Sequence, residues 1–203
     1  VKDYSLKDRA RFYTETFPKY PPLRADDRWI DGIWVLGQDY RGSGYYGSYP
    51  PNYLRRIMSM FPDAQNILHL FSGSLPPGNY TRLDINQKLN PDICGDAERL
   101  SSFIEVGKYD LIIADPPYSS EDAEHYGTPF ISRNKVLKEC ALVMPCGGYL
   151  IWLDQVMPMF SKRSLSWVGA IGLIRSTNHR FRVCSWFKKV DITLLKSTKI
   201  PYK

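Results

Sequence analysis

Leu111-Ile112-Ile113-Ala114, an unbroken apolar run halted by Asp115 and the paired prolines Pro116 and Pro117, sets the tightest constraint on how this chain can fold. A β-branched run with no polar alternation has no solvent face, so it reads as a buried strand of a parallel sheet. Each proline fixes its own φ and restricts the residue before it, which predicts that the strand ends in a rigid turn. Asp115 and the carbonyls beside it then have little freedom.

The rest of the chain supplies partners for such a strand. A helix is predicted over Leu6–Thr16. A second opens at Tyr49-Pro50-Pro51, runs to about Phe61 and is ended by Pro62. Strands are predicted at 66–71, 80–85, 92–96 and 149–153, and helices at 97–106 and 130–143, the last joined to its strand by the turn Pro145-Cys146-Gly147-Gly148. This alternation indicates an α/β fold, a doubly wound and mostly parallel sheet. Segments 165–174 and 181–190, separated by Arg175-Ser176-Thr177-Asn178-His179-Arg180, predict a C-terminal antiparallel hairpin. Residues 1–48, rich in Tyr, Trp, Gly and Pro, read as an irregular N-terminal extension wrapping one domain of residues 49–203.

With 203 residues and 43% hydrophobic content the chain can bury a real core. Its apolar runs fall far short of the roughly 20 residues of a membrane helix, and no signal-peptide pattern opens it, so a cytoplasmic protein without membrane association is expected. Cys94, Cys140, Cys146 and Cys184, with His69, His125 and His179, show no ligand spacing, so no metal is expected and the thiols read as reduced and mostly buried. Charge is polarised: residues 162–203 carry +9 and residues 1–161 carry −3. Such a basic segment either solvates a face or meets nucleic acid.

Four features in order resemble the class I S-adenosylmethionine-dependent methyltransferases of the amino-group type, over about residues 45–190. Phe71-Ser72-Gly73-Ser74 resembles the family's cofactor loop. Asp84, ending the second strand, matches the acid that binds the ribose hydroxyls, and Gly95-Asp96-Ala97 matches the turn whose acid faces the adenine amino group. Asp115-Pro116-Pro117-Tyr118 matches the catalytic tetrapeptide. Gly47 to Pro51 also resembles the segment that touches the cofactor's carboxylate end, which adds Tyr49 to the cofactor-binding residues. The chain departs from the family at 74–79, where Pro76, Pro77 and Gly78 leave no room for a helix, so a tight crossover loop is expected, and Leu75 replaces the loop's last glycine.

The resemblance implies S-adenosylmethionine as cofactor and an exocyclic amine as acceptor. The residues agree: an amine has two N–H donors, which the Asp115 carboxylate and Pro116 carbonyl can accept while Tyr118 stacks on the planar carrier. Adenine N6 in DNA is the leading substrate, with DNA ahead of RNA and a separate specificity subunit compensating for the missing recognition domain. Cytosine N4, an RNA base or a protein amide would suit the same tetrapeptide, and a non-catalytic binding subunit of the same fold is the reading from another class. Arg175, His179 and Arg180 are candidates for phosphate contact at the sheet edge. Segment 119–127 reads as a mobile polar lid with a solvated His125, and Cys146 as part of a turn rather than a nucleophile.

Overall fold

The computed structural model describes residues 4–37, 49–175 and 181–190, and within them local sequence explains where elements begin. Helix α1 (Leu6–Thr16) starts at a reciprocal cap: the Ser5 hydroxyl accepts the Asp8 N–H, and the Asp8 carboxylate accepts from the Ser5 N–H. Helix α2 (Tyr53–Ser59) begins later than the prolines suggest, because Pro50 accepts the Tyr53 N–H in a turn and Asn52 takes a left-handed conformation before the helix.

The strands are β1 (Arg24–Ala25), β2 (Ile30–Leu36), β3 (Ile67–Leu70), β4 (Thr81–Asp84), β5 (Ile93–Cys94), β6 (Leu111–Ala114), β7 (Tyr149–Asp154), β8 (Leu165–Arg175) and β9 (Phe181–Lys189). They form one sheet in the order β1-β2-β8-β9-β7-β6-β3-β4-β5. Pairing is parallel from β7 through β6, β3 and β4 to β5, while β9 runs antiparallel between β7 and β8. The fold is thus the predicted α/β one, mostly parallel with an antiparallel C-terminal hairpin.

Buried side chains lie on both faces, as the unbroken run of β6 requires. Leu111 and Ile113 pack with α1 and α2, whereas Ile112 and Ala114 pack with α4 (Arg133–Val143) and the 3-10 helix Ala97–Ser102. That 3-10 helix replaces the longer helix predicted at 97–106. The chain kinks at Arg99, and the remaining turn still buries Ala97 and Leu100.

Two further differences follow from packing. Residues 24–36 are not irregular: β2 pairs in parallel with β8 along its whole length, Ile30 opposite Gly169, and sends Ile30, Trp34 and Leu36 into the core. A Cβ at Gly169 would lie 2.6 Å from the Ile30 carbonyl oxygen, so glycine is what lets these strands approach. Segment 119–127, expected as a mobile polar lid, contains helix α3 (Ser120–His125). The Ser119 hydroxyl caps it, Glu121 and Asp122 occupy its first turn, and Ala123 anchors it in the interior. The expected short crossover is present, with β3 and β4 parallel neighbours joined by residues 71–80 without a helix.

Candidate active site

Chain order fixes where a ligand can sit. From β3 the sheet grows outward to β4 and β5, then the chain returns to place β6 on the other side of β3, so β3 and β6 flank the switch point at their carboxyl ends. Leu70 lies opposite Ala114, which brings Phe71 and Asp115 to that edge side by side. A cleft of about 1320 Å³ opens there, lined by Tyr49, Phe71 to Pro76, Asp84, Asp96, Ala97, Asp115 to Tyr118 and Arg182. The sequence-predicted cofactor and catalytic residues therefore converge on one cavity. Arg175 ends β8 at the same edge, but its side chain, together with His179 and Arg180, lies outside the described residues.

One half of the cleft is a nest of backbone around Asp84. Its carboxylate accepts the Gly73 N–H at 2.8 Å on one oxygen and the Asn86 N–H at 2.9 Å on the other, locking the loop after β3 onto the end of β4. Gly73 has φ of 53° and Phe71 φ of 56°. The left-handed conformation is natural for glycine but costs a bulky residue about 1 kcal/mol, so Phe71 stores strain in this loop, offset by an edge-on contact of its ring with Trp152. Between them the Ser72 hydroxyl is buried without a hydrogen-bond partner. A buried orphan hydroxyl in a loop lining a cleft is a group awaiting a polar ligand. Asp96 caps the following 3-10 helix, its carboxylate accepting the Glu98 N–H at 2.9 Å.

The other half is built on Asp115. Burial pushes its carboxyl up to about 6, with the positive charge of Arg182 and a hydrogen bond donated by the Tyr118 hydroxyl to Oδ1 acting in the opposite sense. Burial likewise raises Tyr118 well above the ordinary phenol range, helped by the Asp115 charge, so Tyr118 remains a donor. Tyr49 stacks on Tyr53 and its hydroxyl lies 3.2 Å from His69 Nδ1, a ring that burial holds near 4 and therefore neutral.

Three residues missed by sequence reasoning complete this half. Asp154, fully buried at the end of β7, takes the Arg133 Nε at 2.7 Å and the Trp152 indole N–H at 3.1 Å. Arg133 also donates to the Tyr118 carbonyl at 2.8 Å, so the tetrapeptide's last residue is pinned to a neighbouring strand. Arg182 enters from β9, which, being antiparallel, presents its N-terminal end at this edge with Val183 opposite Asp154. The Arg182 guanidinium lies 5.0 Å from the centre of the Tyr118 ring. An Asp at the end of the fifth strand of the parallel set was the available signal for Asp154; nothing local marks Arg133 or Arg182.

Cys140 and Cys184 are buried, whereas Cys94 and Cys146 are exposed, which corrects the expectation of mostly buried thiols; all four are free. Among the described residues no group of three or more His, Cys, Asp or Glu side chains is placed to hold a metal ion, and no helix is long and apolar enough to cross a membrane.

No protein-family profile and no curated protein matches the chain. Among solved structures, TrmN from Thermus thermophilus superposes with a TM-score of 0.51 at 16% identity, covering 71% of this chain and 50% of TrmN. This chain thus spans half the length of that relative. Looser matches include the N-methyltransferase NodS from Bradyrhizobium japonicum WM9 (TM-score 0.43, 12% identity, 63% of this chain and 87% of that one). A TehB-like methyltransferase from Corynebacterium glutamicum ATCC 13032 is similar (TM-score 0.42, 16% identity, 66% and 85%). At these identities the likeness is one of architecture, and the fold is the Rossmann-like fold of class I methyltransferases.

Proposed function

We propose that this chain is an S-adenosylmethionine-dependent methyltransferase acting on an exocyclic amino group of a nucleic-acid base, with adenine N6 in DNA as the first substrate to test. One observation carries the reading: a rigidly held carboxylate, Asp115, shares a single cleft with a loop whose buried Ser72 hydroxyl lacks a partner. The residues present fit the cofactor, because Ser72, Asp84 and Asp96 offer a hydroxyl and two carboxylates to its polar groups while Phe71 and Ala97 supply apolar lining. Bound there, the cofactor would supply an electrophilic methyl group.

The chain's own residues act on the amine. Ionised Asp115 and the Pro116 carbonyl accept its two N–H bonds, which draws the nitrogen toward a pyramidal geometry and directs its lone pair. After methylation the nitrogen is cationic and strongly acidic, so its proton passes to Asp115 or to water without need of a stronger base. Tyr118 bears on the planar base through its ring. The +9 charge of residues 162–203 favours an anionic polymer over a protein amide, and a separate specificity subunit would supply sequence preference.

The test is transfer of a radiolabelled methyl group to DNA, RNA and protein, followed by nuclease digestion and mass spectrometry of the modified base. Asp115→Ala should abolish transfer while calorimetry still detects cofactor binding. Equal activity of the two proteins would remove Asp115 from the site.

A further inference from the structure

Arg182 has a position that the amine chemistry alone leaves unexplained. It stands on a sheet strand rather than a loop, opposite Leu173 of β8 and next to Val183, which lies opposite Asp154 of β7, so its backbone is fixed at this edge of the sheet. Its side chain lines the cleft and its guanidinium covers the Tyr118 ring at 5.0 Å. Yet its Nε is buried with no hydrogen-bond partner, and it forms no ion pair among the described residues. A guanidinium is a planar fork of five N–H donors that is never deprotonated, and a buried donor left unpaired is unfavourable. Asp115 feels the Arg182 charge, but no hydrogen bond joins the two side chains among the described residues.

A base that places its amino group against Asp115 necessarily brings a second kind of atom with it. In adenine and cytosine the carbon bearing the amine is flanked by a ring nitrogen that accepts a hydrogen bond, and in adenine a further acceptor, N7, lies on the other flank of the amine. Donors on the amine and acceptors beside it call for opposite partners: a carboxylate for the first, a fixed N–H donor for the second. Asp115 and Arg182 are one of each, and both contact Tyr118.

We infer that Arg182 is a specificity-determining residue that donates a hydrogen bond to the ring acceptor beside the target amine, so that the pair Asp115 and Arg182 reads a donor–acceptor edge rather than an amine alone. This rests on the function proposed above. It predicts discrimination against aromatic amines that lack the neighbouring acceptor, even when their shape is preserved. Arginine suits the role because its charge also favours the ionised form of Asp115, so one side chain serves both partners of the base.

The experiment measures kcat/KM for methylation of three single-stranded DNA oligonucleotides carrying adenine, 1-deazaadenine or 7-deazaadenine at one position, using wild-type protein, Arg182→Met and Arg182→Lys. Wild-type transfer to adenine is the control for the function proposed above; its absence overturns adenine in DNA as the substrate and this assignment with it. With that control positive, the expected result is a loss of tenfold or more on one deaza analogue. Arg182→Met should lose a similar factor on adenine but little further on that same analogue. Arg182→Lys, which keeps charge without the planar fork, should recover part of the loss. Equal losses for Arg182→Met on all three oligonucleotides, the signature of a merely structural role, would overturn the assignment while leaving the methyltransferase reading intact. So would a wild-type enzyme indifferent to both analogues.

Discussion

Asp115→Asn should make this protein more stable at the pH where the wild type is most active. The carboxyl opens partly to the cleft, but the apolar strand and prolines around it raise its titration from the ordinary 3.8 to about 6. At 1.36 kcal/mol per unit, holding it ionised costs the fold at most about 3 kcal/mol. The sign follows from proton counting. In the unfolded chain Asp115 titrates near 4, so between about pH 4 and pH 6 the folded protein binds more protons than the unfolded one, and stability falls as pH rises. Above pH 6 the loss is complete and constant. Asparagine removes the charge yet keeps an oxygen for the Tyr118 hydroxyl, so at pH 8 its Tm should exceed wild type by about 6–10 °C, a difference shrinking to about 1 °C at pH 4. Calorimetric scans at the two pH values measure it. An equal difference at both, or a lower Tm at pH 8, would refute the claim that the site disfavours this charge.

The same titration should appear in turnover: methyl transfer by the wild type should rise with pH to a plateau, with its midpoint near 6, and a profile flat from pH 5 to 8 would contradict the role of ionised Asp115. Ser72→Ala removes a hydroxyl with no protein partner, so stability should change by less than about 0.5 kcal/mol. Cofactor affinity measured by calorimetry should instead fall about fivefold, the worth of one neutral hydrogen bond. Asp154→Ala strands the Arg133 charge and the Trp152 indole N–H, and denaturant unfolding should show a loss of about 3–5 kcal/mol.

What could be read from the sequence was whatever rests on local chemistry. Leu111 to Ala114 announced burial on both faces, and the two prolines after Asp115 announced where it would stop; both are properties of a few adjacent residues. The crossover at 74–79 was legible for the same reason, since Pro76, Pro77 and Gly78 together in six residues leave no room for a helix. Strand β2 was not legible. Ile30, Ile33, Trp34 and Val35 have strand propensity, but they lie among the Tyr-, Gly- and Pro-rich residues of 1–48 with no turn signal naming a partner, and their place is decided by pairing with β8 far along the chain. Helix α3 was missed because its six residues are polar and depend on the Ser119 cap and one buried alanine. Arg133 of α4 joins Asp154 of β7 to the Tyr118 carbonyl, Arg182 reaches the Tyr118 ring because β9 inserts antiparallel beside β7, and no spacing in the sequence encodes that neighbourhood.

Tyr118 is held at three points: its carbonyl by Arg133, its ring face by Arg182, and its hydroxyl on Asp115 Oδ1. The last contact poses a question of mechanism, because a hydroxyl on the acceptor carboxylate can block the amine or prepare the carboxylate for it. The geometry favours preparation. Among the described residues no donor reaches Oδ2, so the amine has an oxygen of its own, with the Pro116 carbonyl for its second hydrogen. The phenol also opposes the effect of burial by stabilising the ionised carboxylate, as does the Arg182 charge. Tyr118→Phe keeps the ring and removes only the hydroxyl, so Asp115 should titrate higher and the midpoint of the pH profile should move upward by about half a unit to one unit. A blocking hydroxyl predicts the opposite signature, a lower KM with the midpoint unmoved, and observing that would overturn the preparatory role.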